Sequence, residues 1–200
     1  MRDLLIATNN AGKVREYGGL LSSLPVRLRS LSEYGIETDV AETGQTFEEN
    51  AAIKATAYAK LSGVVTLADD SGLCIDRLGG SPGVRSSRYA GEHASDADRI
   101  LKVLSELTGV PADDRTARFV CVIALSDPDG KIIASVDGTC KGAITDRPRG
   151  TSGFGYDPIF LPNGFDKTFG ELEADVKDRI SHRANAALKI IPFLRGFFNI

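Results

Sequence analysis

The feature that most constrains the fold is an apolar run that ends in two adjacent acids. Residues 63–68 read GVVTLA, and residues 69–72 read DDSG. A short run rich in Val and Leu predicts a buried β-strand that ends at Ala68. Because ligands bind at strand ends in open α/β sheets, the two carboxylates are expected to meet solvent, a cation or a reacting group. The alternative is an ordinary turn, since Asp, Ser and Gly are common turn residues.

Helix and strand patterns alternate along the chain. Apolar spacing and capping motifs predict helices over residues 11–24, 46–61, 95–107 and from 181 onward, with a bend or break near Pro192. Strand-like runs cover residues 4–7, 117–125 and 131–137, and a hairpin turn at residues 127–130 joins the last two. Because no linker or repeat separates these parts, residues 1–200 are expected to form one α/β domain with an antiparallel portion.

Apolar stripes predict which helix faces are buried. The stripe of the 95–107 helix is Ala97, Ile100, Leu101, Leu104 and Leu107. This helix is interpreted as purely structural. In the C-terminal helix, the residues expected to face inward are Leu188, Ile191 and Leu194.

A strand, a polar turn and a helix start predict a phosphate site at residues 8–13. Asn9 or Asn10 can cap the helix, and its free N–H groups and dipole favour an anion beside Lys13. The segment is similar to the phosphate loop of P-loop NTPases. However, Ala7 replaces the first glycine of that motif and Val14 replaces its Mg²⁺-binding hydroxyl residue, so that class is disfavoured.

Two charged residues, Lys54 and Glu42, are candidates to lie near Asp70. Asn50 and Lys54 are four residues apart on the helix that begins at the capping box, so they share a face. Because that helix leads into the strand before Asp70, Lys54 is expected near the acid; the alternative is a surface lysine. Glu42 could bracket a divalent cation with Asp70, and its alternative is a solvated loop side chain.

Two later segments could contact a ligand. Residues 153–157 read GFGYD, which is compatible with a loop that stacks a planar ring while its backbone hydrogen-bonds the ring edge. The alternative is a tight turn with two core aromatics. Ser181, His182 and Arg183 open a helix with a cap, an imidazole and a cation for phosphate or a purine edge, although a lone His at a helix start is more often structural.

Composition excludes several classes of protein. The 24 basic and 27 acidic residues give a net charge of -3, which disfavours a nucleic-acid partner bound through counterion release. The chain has no apolar stretch long enough for a membrane span, and its start turns polar too soon for a signal peptide. We therefore expect a cytoplasmic protein without a nucleic-acid or membrane partner.

Cysteine and histidine usage narrows the possible metal chemistry. Cys74, Cys121 and Cys140 are far apart without a C-x-x-C pair, so buried free thiols are expected. With two histidines, His93 and His182, a His-rich transition-metal centre is excluded. Oxygen ligands would hold any cation, which favours Mg²⁺ or Mn²⁺.

Six segments in this order resemble the inosine/xanthosine triphosphate pyrophosphatase family, of the RdgB/HAM1 type. They are residues 8–13 (TNNAGK), 42–44 (ETG), 46–50 (TFEEN), 68–73 (ADDSGL), 153–158 (GFGYDP) and 180–183 (ISHR). Each segment is a weak signal alone, but six in order across nearly the whole chain are specific.

The resemblance implies both a fold and an activity. The implied fold is an elongated, mixed central β-sheet flanked by helices, with two lobes and an active-site cleft between them, usually as a homodimer. The implied activity is Mg²⁺-dependent hydrolysis of deaminated purine nucleoside triphosphates (ITP, dITP, XTP) to the monophosphate and pyrophosphate.

The resemblance also implies residue roles. Asp70 would be the general base and a metal ligand, Glu42 a metal ligand and Ser71 a substrate contact, with Asp69 a further metal-ligand candidate. The triphosphate would be held by Thr8, Asn9, Asn10, Ala11, Gly12 and Lys13. The nucleobase and phosphates would be surrounded by Phe154, Gly155, Tyr156, Asp157, Lys177, His182 and Arg183. The cations that could neutralise the phosphates are Lys13, Lys54, Lys177 and Arg183.

One departure and two alternatives accompany the resemblance. Ser152 stands where glycine is usual in this family, which could alter loop mobility. The first alternative is a Maf-type pyrophosphatase acting on pyrimidine or modified nucleotides. The second is a nucleotide-binding regulatory module without turnover.

Overall fold

The computed structural model describes residues 2–200, which form a mixed α/β fold. Its strands within that range are β1 (Arg2–Ile6), β2 (Val26–Ser30), β3 (Thr66–Ile75), β4 (Thr116–Ser126), β5 (Ile132–Ile144) and β6 (Phe160–Pro162). Its α-helices are α1 (Ala11–Leu20), α2 (Phe47–Ser62), α3 (Asp96–Glu106), α4 (Ala174–Ile180) and α5 (His182–Phe198). The elements β2, β6 and α4 were not predicted from the sequence.

The six strands form one sheet in the order β2-β1-β3-β4-β5-β6. The strand β1 runs parallel to β2 and β3, with Leu5 opposite Thr66 and Ile6 opposite Leu67. The strands β5 and β6 are antiparallel, and the predicted turn at residues 127–130 joins β4 to β5. The predicted mixed α/β class is therefore confirmed.

Local capping signals determine where the helices begin. Thr46 caps α2 by accepting a hydrogen bond from the Glu49 N–H at 3.1 Å, and the Glu49 carboxylate accepts from the Thr46 N–H at 3.3 Å. The helix ends at Gly63, whose φ of 69° is left-handed and costs glycine little. Asn10, rather than Asn9, caps α1. The predicted capping box at Ser95 also forms.

The chain divides into two compact units. The first comprises the chain up to residue 70 together with residues 121–138 and 183–200. The second comprises residues 71–120 and 139–182. The cleft that the resemblance implies between two lobes stays a prediction.

In the first unit, the helices pack on both faces of the sheet. Leu4, Ile6 and Leu67 belong to one core cluster, to which α1 and α5 also contribute. Their neighbours Leu5 and Ala68 belong to a second cluster with α2. Because successive strand residues point to opposite faces, this alternation also determines the direction of the residues that follow.

The core of the second unit contains α3. Its buried residues Ile100, Val103 and Leu107 pack with Leu73 and Phe119. The predicted stripe was wrong at Ala97 and at Leu101, which are exposed, Leu101 by 62%, and it missed the buried Val103. Ile100 is at the centre of the buried face, and a residue one position further along a helix is rotated about 100° away from it.

Several predicted boundaries were wrong. The helix α1 ends at Leu20 rather than at residue 24, and β5 continues past residue 137 to Ile144. β3 does not end at Ala68 but continues through both acids to Ile75. A strand can contain these acids because each has charged or polar partners, and the buried Leu73 and Ile75 restore the apolar pattern. The helix α5 continues through Pro192, so the predicted break is absent there, while the alternative of a bend stays a prediction.

The predicted inward face of α5 was wrong at Leu188, which is 66% exposed. The buried stripe instead includes the small residues Ala184 and Ala187 together with Ile190 and Leu194. Small side chains such as alanine let a helix approach its neighbours closely. The buried face of α5 therefore includes alanines, and the bulky Leu188 lies outside it. The three cysteines are free and buried, as predicted.

None of the helices described within residues 2–200 is long and apolar enough to cross a membrane.

Candidate active site

The strand β3 directs its two acids to opposite faces of the sheet. Leu67 packs with α1 and α5, whereas Ala68 packs with α2. The pleat therefore places Asp69 on the α1/α5 face and Asp70 on the α2 face. These two acids have different partners, and the rest of the site in the first unit is arranged around that difference.

Asp69 is buried between two cations. Its side chain is 1% exposed, and its Oδ2 lies 3.0 Å from the Lys13 Nζ and 3.5 Å from the Arg183 Nε. Burial alone would raise the pKa of this carboxyl, but the positive charges of Lys13 and Arg183 outweigh burial and hold the pKa well below its usual range. Asp69 is therefore a permanent anion at neutral pH.

Arg183 is the second member of this buried cluster. Its guanidinium is paired with Glu16 as well as with Asp69, and it lies 5.9 Å from the centre of the Tyr17 ring. Burial would lower the pKa of this group, yet the carboxylates of Asp69 and Glu16 raise it. Burial and the Asp69 charge also raise the pKa of Cys121 to about 12, so this thiol stays protonated.

Asp70 meets polar side chains from α2. Its Oδ2 accepts a hydrogen bond from the Asn50 Nδ2 at 3.1 Å, and its Oδ1 lies 3.8 Å from the Lys54 Nζ. This geometry confirms that Asn50 and Lys54 share a helix face and that Lys54 lies near Asp70, whereas the contact of Asn50 with Asp70 was not predicted. Burial raises the pKa of Asp70, and Glu42 adds to the rise while Lys54 opposes it. The acid that raises this pKa is thus Glu42 rather than the neighbouring Asp69, which faces the other way.

Lys54 connects Asp70 with Glu42. The Lys54 Nζ lies 2.5 Å from the Glu42 Oε1, so one ammonium group contacts both carboxylates. Burial would lower the pKa of Lys54, but the three acids Asp70, Asp69 and Glu42 raise it overall. Glu42 is therefore not the solvated loop residue of the alternative interpretation.

Asn50 also holds the segment that carries Glu42. Its Oδ1 accepts a hydrogen bond from the Gly44 N–H at 2.8 Å while its Nδ2 donates to Asp70. A Cβ at Gly44 would lie 2.7 Å from that Oδ1 and 2.6 Å from the Glu49 Cβ. The position therefore needs glycine for close approach, and one buried amide sets the spacing of Glu42 and Asp70.

The donor set on this face fits a hard divalent cation, although it is small. Glu42 and Asp70 offer carboxylate oxygens, which Mg²⁺ and Mn²⁺ prefer, and Mg²⁺ commonly uses one or two carboxylates together with substrate phosphates. Among residues 2–200, no group of three or more Asp, Glu, His or Cys side chains is arranged as a metal site.

The loop before α1 presents polar groups at the helix N-terminus. Thr8 Oγ1 accepts a hydrogen bond from the Asn10 N–H at 3.2 Å, and Asn10 Oδ1 accepts from the Lys13 N–H at 3.1 Å. Asn9, Asn10 and Ala11 are exposed. The predicted phosphate site is compatible with this exposure, and its role stays a prediction.

In the second unit, Asp157 organises the glycine-rich loop. Its Oδ2 accepts hydrogen bonds from the Phe154 N–H at 2.9 Å and from the Lys177 Nζ at 2.5 Å. The Lys177 Nζ lies 4.9 Å from the centre of the Phe154 ring. Gly153 has a φ of 76°, and a Cβ there would lie 2.0 Å from the Asp157 Oδ2, so this turn requires glycine.

The loop amides differ from the sequence-based expectation. The N–H of Phe154 donates to Asp157, and the N–H of Gly155 donates to the Asp96 Oδ2 at 2.7 Å. In this structure these two amides are therefore occupied, whereas the sequence suggested backbone donors for the edge of a planar ring. Tyr156 is buried in the core, and its hydroxyl donates to the Ser86 carbonyl at 2.9 Å.

The remaining candidates of the second unit are Ser71 and His182. Ser71 is half-buried on β3, immediately after Asp70 in the chain. The His182 ring stacks on Phe119 with a centroid distance of 4.7 Å and an interplanar angle of 14°. Their roles towards a substrate stay predictions.

The sequence interpretation missed two acids. Glu16 lies three residues after Lys13 on α1, and Asp96 is the first residue of α3. Helical spacing to Lys13 was an available signal for Glu16. Asp96 gave no such signal, because its contact with Gly155 spans 59 residues.

Comparisons with known proteins agree on one family. A sequence model of the Ham1 family matches residues 4–193. The dITP/XTP pyrophosphatase of Bacillus licheniformis is 49% identical over 194 residues, which are 97% of this chain and 98% of the relative. The dITP/XTP pyrophosphatase of Bacillus subtilis is 50% identical over 196 residues, 98% of each chain.

Solved structures lead to the same result. The HAM1 protein from Coxiella burnetii matches with a TM-score of 0.87 and 43% identity, covering 97% of this chain and 98% of that protein. The Ham1 protein of Staphylococcus aureus matches with a TM-score of 0.85 and 43% identity, covering 98% and 99%. Both similarities extend over essentially whole chains.

Proposed function

We propose, because the chain belongs to the Ham1 family, that it hydrolyses deaminated purine nucleoside triphosphates such as ITP, dITP and XTP to the monophosphate and pyrophosphate. One observation of the structure carries this proposal: Glu42, Lys54 and Asp70 converge on the α2 face of the sheet. Two carboxylates and a cation match what phosphoryl chemistry needs, which is charge neutralisation and a group that orients water.

Asp70 is the proposed general base. The reaction adds the oxygen of water to phosphorus and breaks the anhydride bond between the α- and β-phosphates, so the water must lose a proton. A carboxylate near the reacting water can accept that proton, and a raised pKa makes Asp70 a stronger base than an ordinary aspartate. The hydrogen bond from Asn50 holds the carboxylate in place.

The proposed cofactor is Mg²⁺, with Mn²⁺ as a possible substitute, held by Glu42 and Asp70. When bound, the ion neutralises phosphate oxygens and lowers the pKa of coordinated water. Lys54 already pairs with both carboxylates, so it can turn towards a phosphate when the carboxylates take another cation. We assign Asp69 no metal, because Lys13 and Arg183 already surround its carboxylate.

Each of the two units contributes its own set of proposed substrate contacts. In the first unit, the triphosphate is held by Thr8, Asn9, Asn10, Ala11, Gly12 and Lys13. In the second unit, the base and phosphates meet Ser71, Phe154, Gly155, Tyr156, Asp157, Lys177 and His182. A 6-keto purine accepts a hydrogen bond where adenine donates one, so backbone N–H groups or Arg183 aimed at position 6 would discriminate against ATP.

A nucleotide panel tests this function directly. The protein is incubated with ITP, XTP, ATP, GTP, UTP and TTP with Mg²⁺, and pyrophosphate and orthophosphate are measured separately. We expect pyrophosphate from ITP and XTP far faster than from ATP, and no turnover with excess EDTA. Equal rates on ITP and ATP would contradict the substrate class.

The same panel decides between the two alternatives. Preferred hydrolysis of UTP or TTP would indicate a Maf-type enzyme, and nucleotide binding without pyrophosphate release would indicate a regulatory module. Neither is favoured, because the relatives described above carry the name dITP/XTP pyrophosphatase. We further propose a cytoplasmic homodimer without a nucleic-acid partner, which light scattering of the purified protein tests for its oligomeric part.

A further inference from the structure

The helix α3 supplies a carboxylate to the glycine-rich loop. Asp96 is the first residue of α3, and its Oδ2 accepts the hydrogen bond from the Gly155 N–H at 2.7 Å. Its other oxygen, Oδ1, is paired with Arg99, one turn further along the same helix. The two carboxylate oxygens of Asp96 thus have different partners. Oδ2 binds the loop at Gly155, and Oδ1 binds Arg99, which fixes the orientation of Asp96.

Arg99 connects Asp96 to a neighbouring segment. Its NH1 donates to the Ser87 carbonyl at 2.8 Å and to the Ala94 carbonyl at 2.6 Å. Ser87 belongs to the 3₁₀ helix Gly83–Arg88. Asp96 is therefore held in one orientation by a guanidinium that is itself bound at three points, which reduces the entropy lost when Asp96 accepts the Gly155 amide.

The same 3₁₀ helix holds the loop at a second point. The Tyr156 hydroxyl donates to the Ser86 carbonyl at 2.9 Å, and the Ser86 Oγ accepts a hydrogen bond from the Leu73 N–H at 3.0 Å. Leu73 lies on β3, three residues after Asp70. Hydrogen bonds to Gly155 and Tyr156 thus anchor two consecutive residues of the loop to elements outside it.

Both apolar packing and a hydrogen bond join the loop to α3. Tyr156 belongs to the same core cluster as Ile100 and Val103 of that helix. A groove of about 430 Å³ lies between the loop and α3, lined by Ala97 and Leu101 on the helix side and by Gly153 and Phe154 on the loop side. Leu101 is exposed in this structure. At this groove, the hydrogen bond from the Gly155 N–H to Asp96 adds a polar link between α3 and the loop tip.

We propose that Asp96 is a positioning residue that sets the orientation of the loop 153–157, and with it the Phe154 ring, for nucleobase binding. The inference rests on the proposed function, since that function gives the loop its role. A hydrogen bond to a charged acceptor stabilises more than a neutral one. Without it, each binding event must order the loop again, so substrate affinity falls while the chemistry at Asp70 continues.

The chain offers a matched control on the same helix turn. Asp98 closes the capping box of α3 by accepting a hydrogen bond from the Ser95 N–H at 2.9 Å. Asp96→Ala and Asp98→Ala each remove one first-turn acid from α3 and one hydrogen-bond acceptor, so both weaken the helix start. Asp96→Ala alone loses the Gly155 hydrogen bond, together with the Arg99 pair that orients Asp96.

The experiment is steady-state kinetics with ITP and Mg²⁺ on both variants. For Asp96→Ala we expect KM to rise about tenfold with kcat within twofold of the wild type, and for Asp98→Ala both parameters stay within twofold. Asp96→Asn keeps an oxygen that can accept from Gly155, so its KM should return to within about threefold. Equal KM values for Asp96→Ala and Asp98→Ala, a fall in kcat alone, or an Asn variant as weak as the Ala variant would overturn the proposal.

Amide hydrogen exchange keeps this test separate from the proposed function. Peptides that cover residues 150–157 should lose protection in Asp96→Ala and keep it in Asp98→Ala. If the wild type released no pyrophosphate from any nucleotide, the proposed function would fail, and exchange would still decide whether Asp96 anchors the loop. Unchanged exchange in Asp96→Ala would overturn the anchoring itself.

Discussion

Asp69 and Asp70 are neighbours in the chain, yet the structure puts them in opposite electrostatic environments. Asp69 is enclosed by two cations on the α1/α5 face, which lower its pKa. Asp70 meets an amide, a shared ammonium group and a second acid on the α2 face, and its pKa is raised. The pleat of one strand is enough to separate a fixed buried charge from the carboxylate that we propose as the general base. Two adjacent acids therefore need not act as a pair.

The largest expected effect is the loss of catalysis in Asp70→Asn. Asparagine keeps the shape of the side chain but cannot take a proton from water, so kcat for ITP should fall about 10³-fold, or ~4 kcal/mol of activation free energy. Because burial opposes the charge of Asp70, the thermal midpoint should not fall. Pyrophosphate release and a circular-dichroism melt measure the two effects. Retention of a tenth of wild-type kcat would remove Asp70 from the base role.

Asp69→Asn should show the reverse pattern, with stability as the main loss. The substitution leaves Lys13 and the buried Arg183 without this counter-charge, and breaking a buried pair costs about 3 kcal/mol of unfolding free energy. Urea unfolding monitored by circular dichroism measures this loss.

Asp137→Asn is the control for that experiment. Asp137 pairs with Lys189 at 3.1 Å on the surface, and exposed pairs contribute little, so this variant should unfold like the wild type. If Asp69→Asn were as stable as the wild type but required more Mg²⁺ for activity, Asp69 would have to be counted among the metal ligands.

The difference between the acids also explains how far the sequence was informative. Local signals predicted the helix α2, its cap at Thr46, and the shared face of Asn50 and Lys54, because all of these depend on residues within a few positions. The prediction that β3 ends at Ala68 was wrong, because what stabilises acids inside a strand comes from α1, α2 and α5. Partners distant in sequence were therefore the missing information.

The same reason explains the missed parts of the site. Glu16 and Asp96 have roles that depend on Arg183 and Gly155, which are 167 and 59 residues away. The exposed Leu188 shows a related difficulty: the sequence predicted an apolar face, but tertiary packing selected the alanine-rich stripe instead. The positions of most helices could be predicted from residues close in sequence. The choice of buried face and the ion-pair partners could not, because they depend on tertiary packing.

Lys54→Met should produce the next largest effect. It removes the ammonium group that contacts Glu42 and Asp70 and keeps most of the apolar stem. Since removal of one preorganised charge donor from an active site typically costs about 100-fold, kcat/KM for ITP should fall by about that factor. Lys60→Met, on an exposed turn of the same helix, should stay within twofold. Similar values for the two variants would show that Lys54 is a structural lysine.

The smallest expected effects come from two buried tyrosines. Tyr17 lies on the Asp69 face of the sheet, and Tyr58 lies on the Asp70 face. Tyr17 lies near Asp69, and its hydroxyl is 3.9 Å from the Cys121 Sγ, a weak partner. The hydroxyl of Tyr58, on α2, donates to the Thr38 carbonyl and accepts from the Val40 N–H, both at 3.2 Å, in the segment that leads to Glu42.

Tyr58→Phe should therefore cost about 1 kcal/mol of unfolding free energy and lower kcat/KM a few-fold, because the segment before Glu42 loses both of these bonds. Tyr17→Phe should cost less than about 0.5 kcal/mol and leave kcat/KM within twofold, since the ring that lies against Arg183 is retained. Urea unfolding and ITP kinetics on the two variants measure both quantities. A larger kinetic effect for Tyr17→Phe would mean that the Tyr17 hydroxyl supports the substrate contacts proposed for Lys13 and Arg183 on the Asp69 face.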